Sequence, residues 1–266
     1  GGTRVPLIIT GPGIKAGIDS DVMINGLDFY PTILSLTGAP RPAGKQFDGC
    51  DVAPLLLGDV TDPSLVKMPD GTARDTLLWH FPNSSTPQSS IRIGDYKLVR
   101  NYNATLSDPA NTAPLLELYR LYDGVTRGDI EEAKNLAEAM PERAVTMDAR
   151  LAELLTGMKA SYPYKNPICP RLPRARRAQC PQVVSHKQTG DTVEVSYKEN
   201  GARVVRANLI YTPNPGDRFE EWFRVPATVP ATGRIVAKLP KDATHCFINL
   251  IDSNNFLVSY PEIVTL

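Results

Sequence analysis

The sequence predicts two kinds of fold in one chain: an α/β segment passing into an α+β unit, then an all-β sandwich. Three observations carry this reading. A continuous apolar run at residues 5–10 (VPLIIT) stops at Gly11-Pro12-Gly13. A run polar on neither face reads as a strand covered on both sides inside an α/β sheet. From residue 75 the apolar period becomes two. After a Pro- and Arg-rich stretch at 161–180, seven short strands recur at regular spacing within about 85 residues, the pattern of an immunoglobulin or fibronectin sandwich.

The elements follow in order. Residues 28–37 (DFYPTILSLT) read as a helix: Asp28 as N-cap, Pro31 tolerated in the first turn, and Gly38 as the stop. Leu27, Tyr30, Ile33, Leu34 and Thr37 share a face at helical spacing, which should pack on the sheet. Residues 47–58 (FDGCDVAPLLLG) are broken by Gly and Pro and read as a loop with a short apolar turn at 52–57. Residues 76–80 are strand-like. Residues 89–93 and 96–101 flank Gly94-Asp95 and read as a β-hairpin, with a further strand at 118–122. Pro141 opens a helix whose Val145, Leu151, Leu154, Leu155 and Met158 should cover a sheet face. The later strands fall at 182–187, 192–198, 203–211, 220–225, 233–239, 245–251 and 256–260, with Trp222 expected in their core.

Composition bounds the function. The chain has 266 residues, long enough for about two domains. Lys+Arg and Asp+Glu both number 29, which argues against a dedicated nucleic-acid binder. No run of 18 apolar residues exists, so no membrane span is expected. The zero net charge hides an asymmetry. Residues 161–266 carry 14 Lys/Arg against 9 Asp/Glu, whereas residues 1–160 carry 15 against 20. The shift places a boundary near residue 160. Part of the basic excess is Arg171, Arg174, Arg176 and Arg177, a cluster that reads as a solvated linker or as a surface for a polyanion. Residue 1 is Gly rather than Met, which reads as a processing site or as one piece of a longer protein.

Of the four cysteines, Cys169 and Cys180 bracket CPRLPRARRAQC and form a disulfide candidate. Cys50 and Cys246 read as buried small hydrophobes. No zinc spacing accompanies the pair. The sequons Asn83-Ser84-Ser85 and Asn103-Ala104-Thr105, with the candidate disulfide, favour an exported, oxidising location.

Among the three histidines, His186 and His245 read as structural. His80 lies in Trp79-His80-Phe81-Pro82, where a strand empties into the polar loop NSSTPQSS, the kind of place where sites are built. Its imidazole is a candidate to bind substrate or an anion, with a histidine satisfied by its neighbours as the open alternative. No nucleophile motif, Cys/His pairing or phosphate loop occurs, and Asp48 and Asp51 read as capping and turn residues rather than metal ligands. The residues alone describe a scaffold without catalytic groups.

The motifs resemble type I sulfatases, the formylglycine-dependent members of the alkaline phosphatase superfamily. The resemblance runs in order through Gly1-Gly2-Thr3-Arg4-Val5-Pro6-Leu7, Pro12-Gly13 and Asp28-x-x-Pro31-Thr32-Ile33-Leu34-x-Leu36-x-Gly38. It continues with Phe47-Asp48-Gly49-x-Asp51-x-x-Pro54-Leu55-Leu56-x-Gly58, Trp79-His80-Phe81-Pro82, Ser90-Ile91-Arg92-x-Gly94-Asp95-Tyr96-Lys97-Leu98 and Glu117-Leu118-Tyr119. It implies a remainder of the sulfatase α/β domain at 1–74, the C-terminal subdomain at 75–160, a linker at 161–180 and an appended β-sandwich at 181–266. It also implies hydrolysis of sulfate esters, those of a sulfated carbohydrate foremost, by a periplasmic or secreted bacterial enzyme using calcium and a formylglycine. No C/S-x-P-x-R motif and no metal-binding DNG segment occurs here. The resemblance therefore implies that the catalytic and metal-binding residues lie upstream and that this chain alone is inactive. It implies substrate contact by His80, with Asn83 and Gln88 in the same loop, and a structural role for Arg4. Two alternatives stay open: a carbohydrate-binding or interaction module, and the C-terminal part of a related phosphatase or phosphotransferase. Oligomeric state is not legible.

Overall fold

The computed structural model describes residues 3–83, 86–105 and 113–265. Ser84 and Ser85 of the first sequon lie outside the described residues. The chain divides between residues 160 and 161 into two compact units, the second also taking in short stretches around 85–87 and 102–115. The architecture is mostly antiparallel β-sheet with few helices.

The first unit opens with two short helices, α1 (Phe29–Thr37) and α2 (Ala53–Leu57). The expected strand at 5–10 does not form. Val5, Leu7 and Ile8 are 75%, 47% and 89% exposed, and no described strand pairs with them. An extended apolar segment becomes a strand only where a neighbour accepts its ladder of hydrogen bonds. The expected apolar face of α1 is likewise uncovered: Leu27, Tyr30 and Ile33 are 57%, 47% and 56% exposed. The buried residues of α1 are Pro31 and Thr32. A small core nearby joins Cys50, Val52, Leu55, Leu56 and Val66.

The middle of the chain matches the period-two reading. Strands β1 (Thr76–Phe81), β2 (Gln88–Ile93), β3 (Tyr96–Asn101) and β4 (Leu116–Arg120) form an antiparallel meander in that order. Gly94 takes φ +53° in the two-residue turn between β2 and β3, as such hairpins require. A two-stranded ribbon follows, β5 (Tyr122–Asp123) with β6 (Thr126–Arg127). Helix α3 (Pro141–Gly157) then covers one face of the meander. The cross-strand row Leu78, Ile91, Leu98 and Leu118 meets Ala144, Met147, Leu151 and Leu155 of α3. The expected inward residues Val145 and Met158 are instead 64% and 56% exposed. The buried stripe is rotated toward Ala144 and Met147, because a small residue allows the helix to approach the sheet there.

In the second unit, the stretch 161–180, which has no periodicity, is tied down rather than free. Helix α4 (Arg174–Arg177) interrupts it, Lys165 bridges to Phe256, and Leu172 and Cys180 pack on the fully buried Phe256. The strands are β7 (Gln182–Thr189), β8 (Thr192–Lys198), β9 (Val204–Thr212), β10 (Phe223–Ala231), β11 (Arg234–Lys238), β12 (His245–Asp252) and β13 (Leu257–Thr265). Their hydrogen-bonded order is β13-β12-β9-β10-β11-β8-β7. β10 changes partner midway: Phe223 to Ala227 pair with β9, and Thr228 and Ala231 pair with β11 across an irregularity. One core draws on both halves, with Val195 and Ile235 from one and Leu209, Ile248 and Leu250 from the other. Trp222 does not anchor it. Its indole is half-buried, tilted against Phe247 at 5.5 Å and hydrogen-bonded to Glu220. An indole N–H needs an acceptor, and the surface supplies one that the apolar core lacks.

Candidate functional site

At the end of β1, His80 pairs across the sheet with Ser89, and its Nδ1 lies 2.6 Å from the buried Ser89 hydroxyl. Side chains alternate faces along a strand. His80 and Ser89 therefore share the α3 face with Arg100, whose guanidinium holds Asp148 of α3 at 2.6 Å. Gln88 sits one residue from Ser89 and faces the other way. Its amide donates to Asn101 Oδ1 at 2.7 Å, and Asn101 in turn donates to Glu117 at 2.9 Å. Asn83 is exposed in the turn after β1. The fold thus places His80 and Asn83 at one end of the meander, with Gln88 on its opposite face.

A second arrangement explains the sequence blocks before residue 75. Asp28 is fully buried, and its carboxylate accepts from Asn25 N at 2.7 Å, Cys50 N at 2.8 Å and Arg74 Nη1 at 2.7 Å. Arg74 also donates to the Met23 carbonyl. Thr32 Oγ1 donates to the Asp28 carbonyl at 2.6 Å and accepts from Val52 N at 2.9 Å. A Cβ on Gly49 would stand 2.1 Å from the Leu27 carbonyl oxygen, so only glycine fits there. The Asp-x-x-Pro-Thr and Phe-Asp-Gly blocks are therefore one hydrogen-bonded joint. Asp28 stands at the N-cap position of α1, as the sequence predicts, but its side chain makes no capping bond to that helix. Its real partner, Arg74, lies 46 residues away with no local signal.

Arg4 belongs to a third cluster. Its guanidinium meets Asp21 at 3.2 Å and Tyr122 at 3.2 Å, Arg127 binds the same carboxylate at 2.9 Å, and Arg92 stacks 4.7 Å over the Tyr122 ring. The Arg127 hydrogen bond, reinforced by Tyr122 and Arg4, outweighs burial and holds the Asp21 carboxyl below the usual range. Burial pushes Arg92 down.

Cys169 and Cys180 are free thiols packed in one small cluster beside Leu172. Burial, with the nearby Asp252 carboxylate, pushes the Cys180 thiol up to about 11. Among the described residues no group of three or more His, Cys, Asp or Glu side chains converges as a metal site. No described helix is long and apolar enough to cross a membrane.

No family model matches the chain. Among curated proteins, arylsulfatase K of Danio rerio is 28% identical over 155 residues, covering 58% of this chain and 26% of that protein. A sulfatase of Formosa agariphila is 32% identical over 164 residues, covering 57% of this chain and 26% of that protein. Arylsulfatase G of Mus musculus is 41% identical over 59 residues, covering 22% of this chain and 11% of that protein. The chain spans about a quarter of the length of the first two.

Proposed function

We propose, from the homology of this chain to sulfatases, that it is the C-terminal part of an exported sulfuric ester hydrolase acting on a sulfated carbohydrate. The observation that carries the reading is the match over more than half the chain to proteins named as sulfatases, of which it spans a quarter. The uncovered apolar surface of residues 5–10 and α1 supports it, since the larger remainder of such an enzyme offers a cover. In this reading calcium and formylglycine belong to that remainder, where they would supply Lewis-acid and nucleophile chemistry. This reading assigns no catalytic step to the described residues of this chain.

The role of this chain is then to build one wall of the cleft. His80, oriented by Ser89, presents an imidazole that can donate to a sulfate or sugar oxygen. Asn83, exposed in the turn three residues on, offers an amide, and Gln88, locked to Asn101, steadies the strand end from the opposite face. The seven-stranded unit is read as an immunoglobulin- or fibronectin-like sandwich. A shared core and a strand that changes partner midway support that reading.

The test uses the longer protein that contains this chain. Its kcat/KM for an aryl sulfate should exceed that for the matching aryl phosphate, and His80→Ala should lower kcat/KM about tenfold or more while the melting temperature holds. A preference for phosphate would replace the reading with a phosphatase.

A further inference from the structure

The second unit holds a cavity of about 300 Å3 between α4 and the turn after β12. It is lined by Lys165, Arg176, Ser253, Asn254 and Phe256, among others. The composition is that of a ligand site: two cations, a hydroxyl, two amides and one aromatic floor, at the lower end of the size range for small-ligand pockets. Neither cation has an ion-pair partner among the described residues. Asp252 lies close enough to act on Lys165, but its Oδ1 is turned to the backbone amides of Asn254 and Phe256 at 2.8 and 2.9 Å.

The walls are fixed in place. Lys165 is held by its own backbone, donating to the Asn255 carbonyl at 2.8 Å and accepting from Leu257 N at 3.0 Å. Its ammonium lies 5.7 Å from the centre of the Phe256 ring. Arg176 reaches Asn254 Oδ1 at 3.3 Å, and the Asn254 amide donates to Gln179 at 3.1 Å. Asn255 holds the turn with φ +63°, a left-handed conformation that asparagine tolerates. Burial and the neighbouring Arg176 push the Lys165 ammonium below its ordinary range, a strain that a bound anion relieves.

We infer that this cavity binds the anionic group of one sugar residue, with Lys165 and Arg176 gripping a sulfate and Ser253 and Asn254 reading adjacent hydroxyls. The sugar and the choice of sulfate rest on the sulfatase reading; the recognition of an anion rests on Lys165 and Arg176. The site would hold a sulfated chain on the second unit.

Calorimetric titration of the full 266-residue chain tests this with three probes: inorganic sulfate, a 6-sulfated chondroitin disaccharide, and its unsulfated counterpart, which keeps the carboxylate. The sulfated disaccharide should bind at least tenfold more tightly than either other probe and weaken as salt rises. Lys165→Ala and Arg176→Ala should each weaken it about tenfold, and Arg234→Ala, on β11 outside the cavity, should not. Amide NMR shifts of Asn254 and Asn255 on titrating the unaltered chain give the same answer without a variant. Absence of binding, equal loss in Arg234→Ala, or shifts away from this turn would overturn the inference. Tighter binding of the unsulfated disaccharide would overturn its sulfate specificity. Hydrolysis of sulfate esters by the longer protein is independent of all these results, so the failure of one reading does not imply failure of the other.

Discussion

Helices α1 and α3 both carry an apolar face in the sequence, yet they end in opposite states. In α3, Leu151 and Leu155 are 0% and 1% exposed against the β1–β4 meander. In α1, Tyr30 and Ile33 remain about half exposed, and the helix is held instead through Thr32 and the carboxylate of Asp28. Periodicity says that a face is apolar; it does not say what covers it. Where the chain supplies its own cover, burial of the face stabilises the helix. Where it does not, a buried ion pair and a few directed hydrogen bonds hold the segment.

That contrast can be broken by substitution. The largest effect is expected at the joint. Asp28→Ala leaves Arg74 as an uncompensated buried charge and orphans the Cys50 and Asn25 amides, at a cost of about 3–5 kcal/mol. Urea unfolding of the full chain would register it as a lower midpoint for the first unit, and an unchanged midpoint would remove the joint from the account. The two helices give a sharper pair. Leu151→Ala should cost about 2–5 kcal/mol through the cavity it opens. Ile33→Ser, at a position 56% exposed, should stay within about 0.5 kcal/mol. Equal losses in the same unfolding experiment would mean that α1 is covered in solution after all.

Much of this was legible in the sequence, and the exceptions share a cause. The Gly94-Asp95 hairpin, the helix opened by Pro141 and the seven late strands announce themselves by local turn chemistry and period. The strand expected at 5–10 failed because a strand is defined by its neighbours, which period cannot supply. Arg74 was missed because its partner is 46 residues distant. Trp222, expected in the core, lies half-buried with its N–H on Glu220 at the surface, a partner that period does not reveal. For the candidate site, His80 was legible from its position at a strand end. That Gln88 faces away from it follows from alternation once the register His80–Ser89 is known. The Lys165–Arg176 cavity had no sequence signal beyond a basic cluster, since its walls come from residues about 80 apart.

The central proposal is that this chain is part of the scaffold of a sulfatase and not its catalytic centre. The direct measurement is hydrolysis of a fluorogenic aryl sulfate by the purified 266-residue chain, with and without added calcium. The account predicts a rate indistinguishable from buffer in both cases. Turnover that survives repurification and falls with His80→Ala would contradict it.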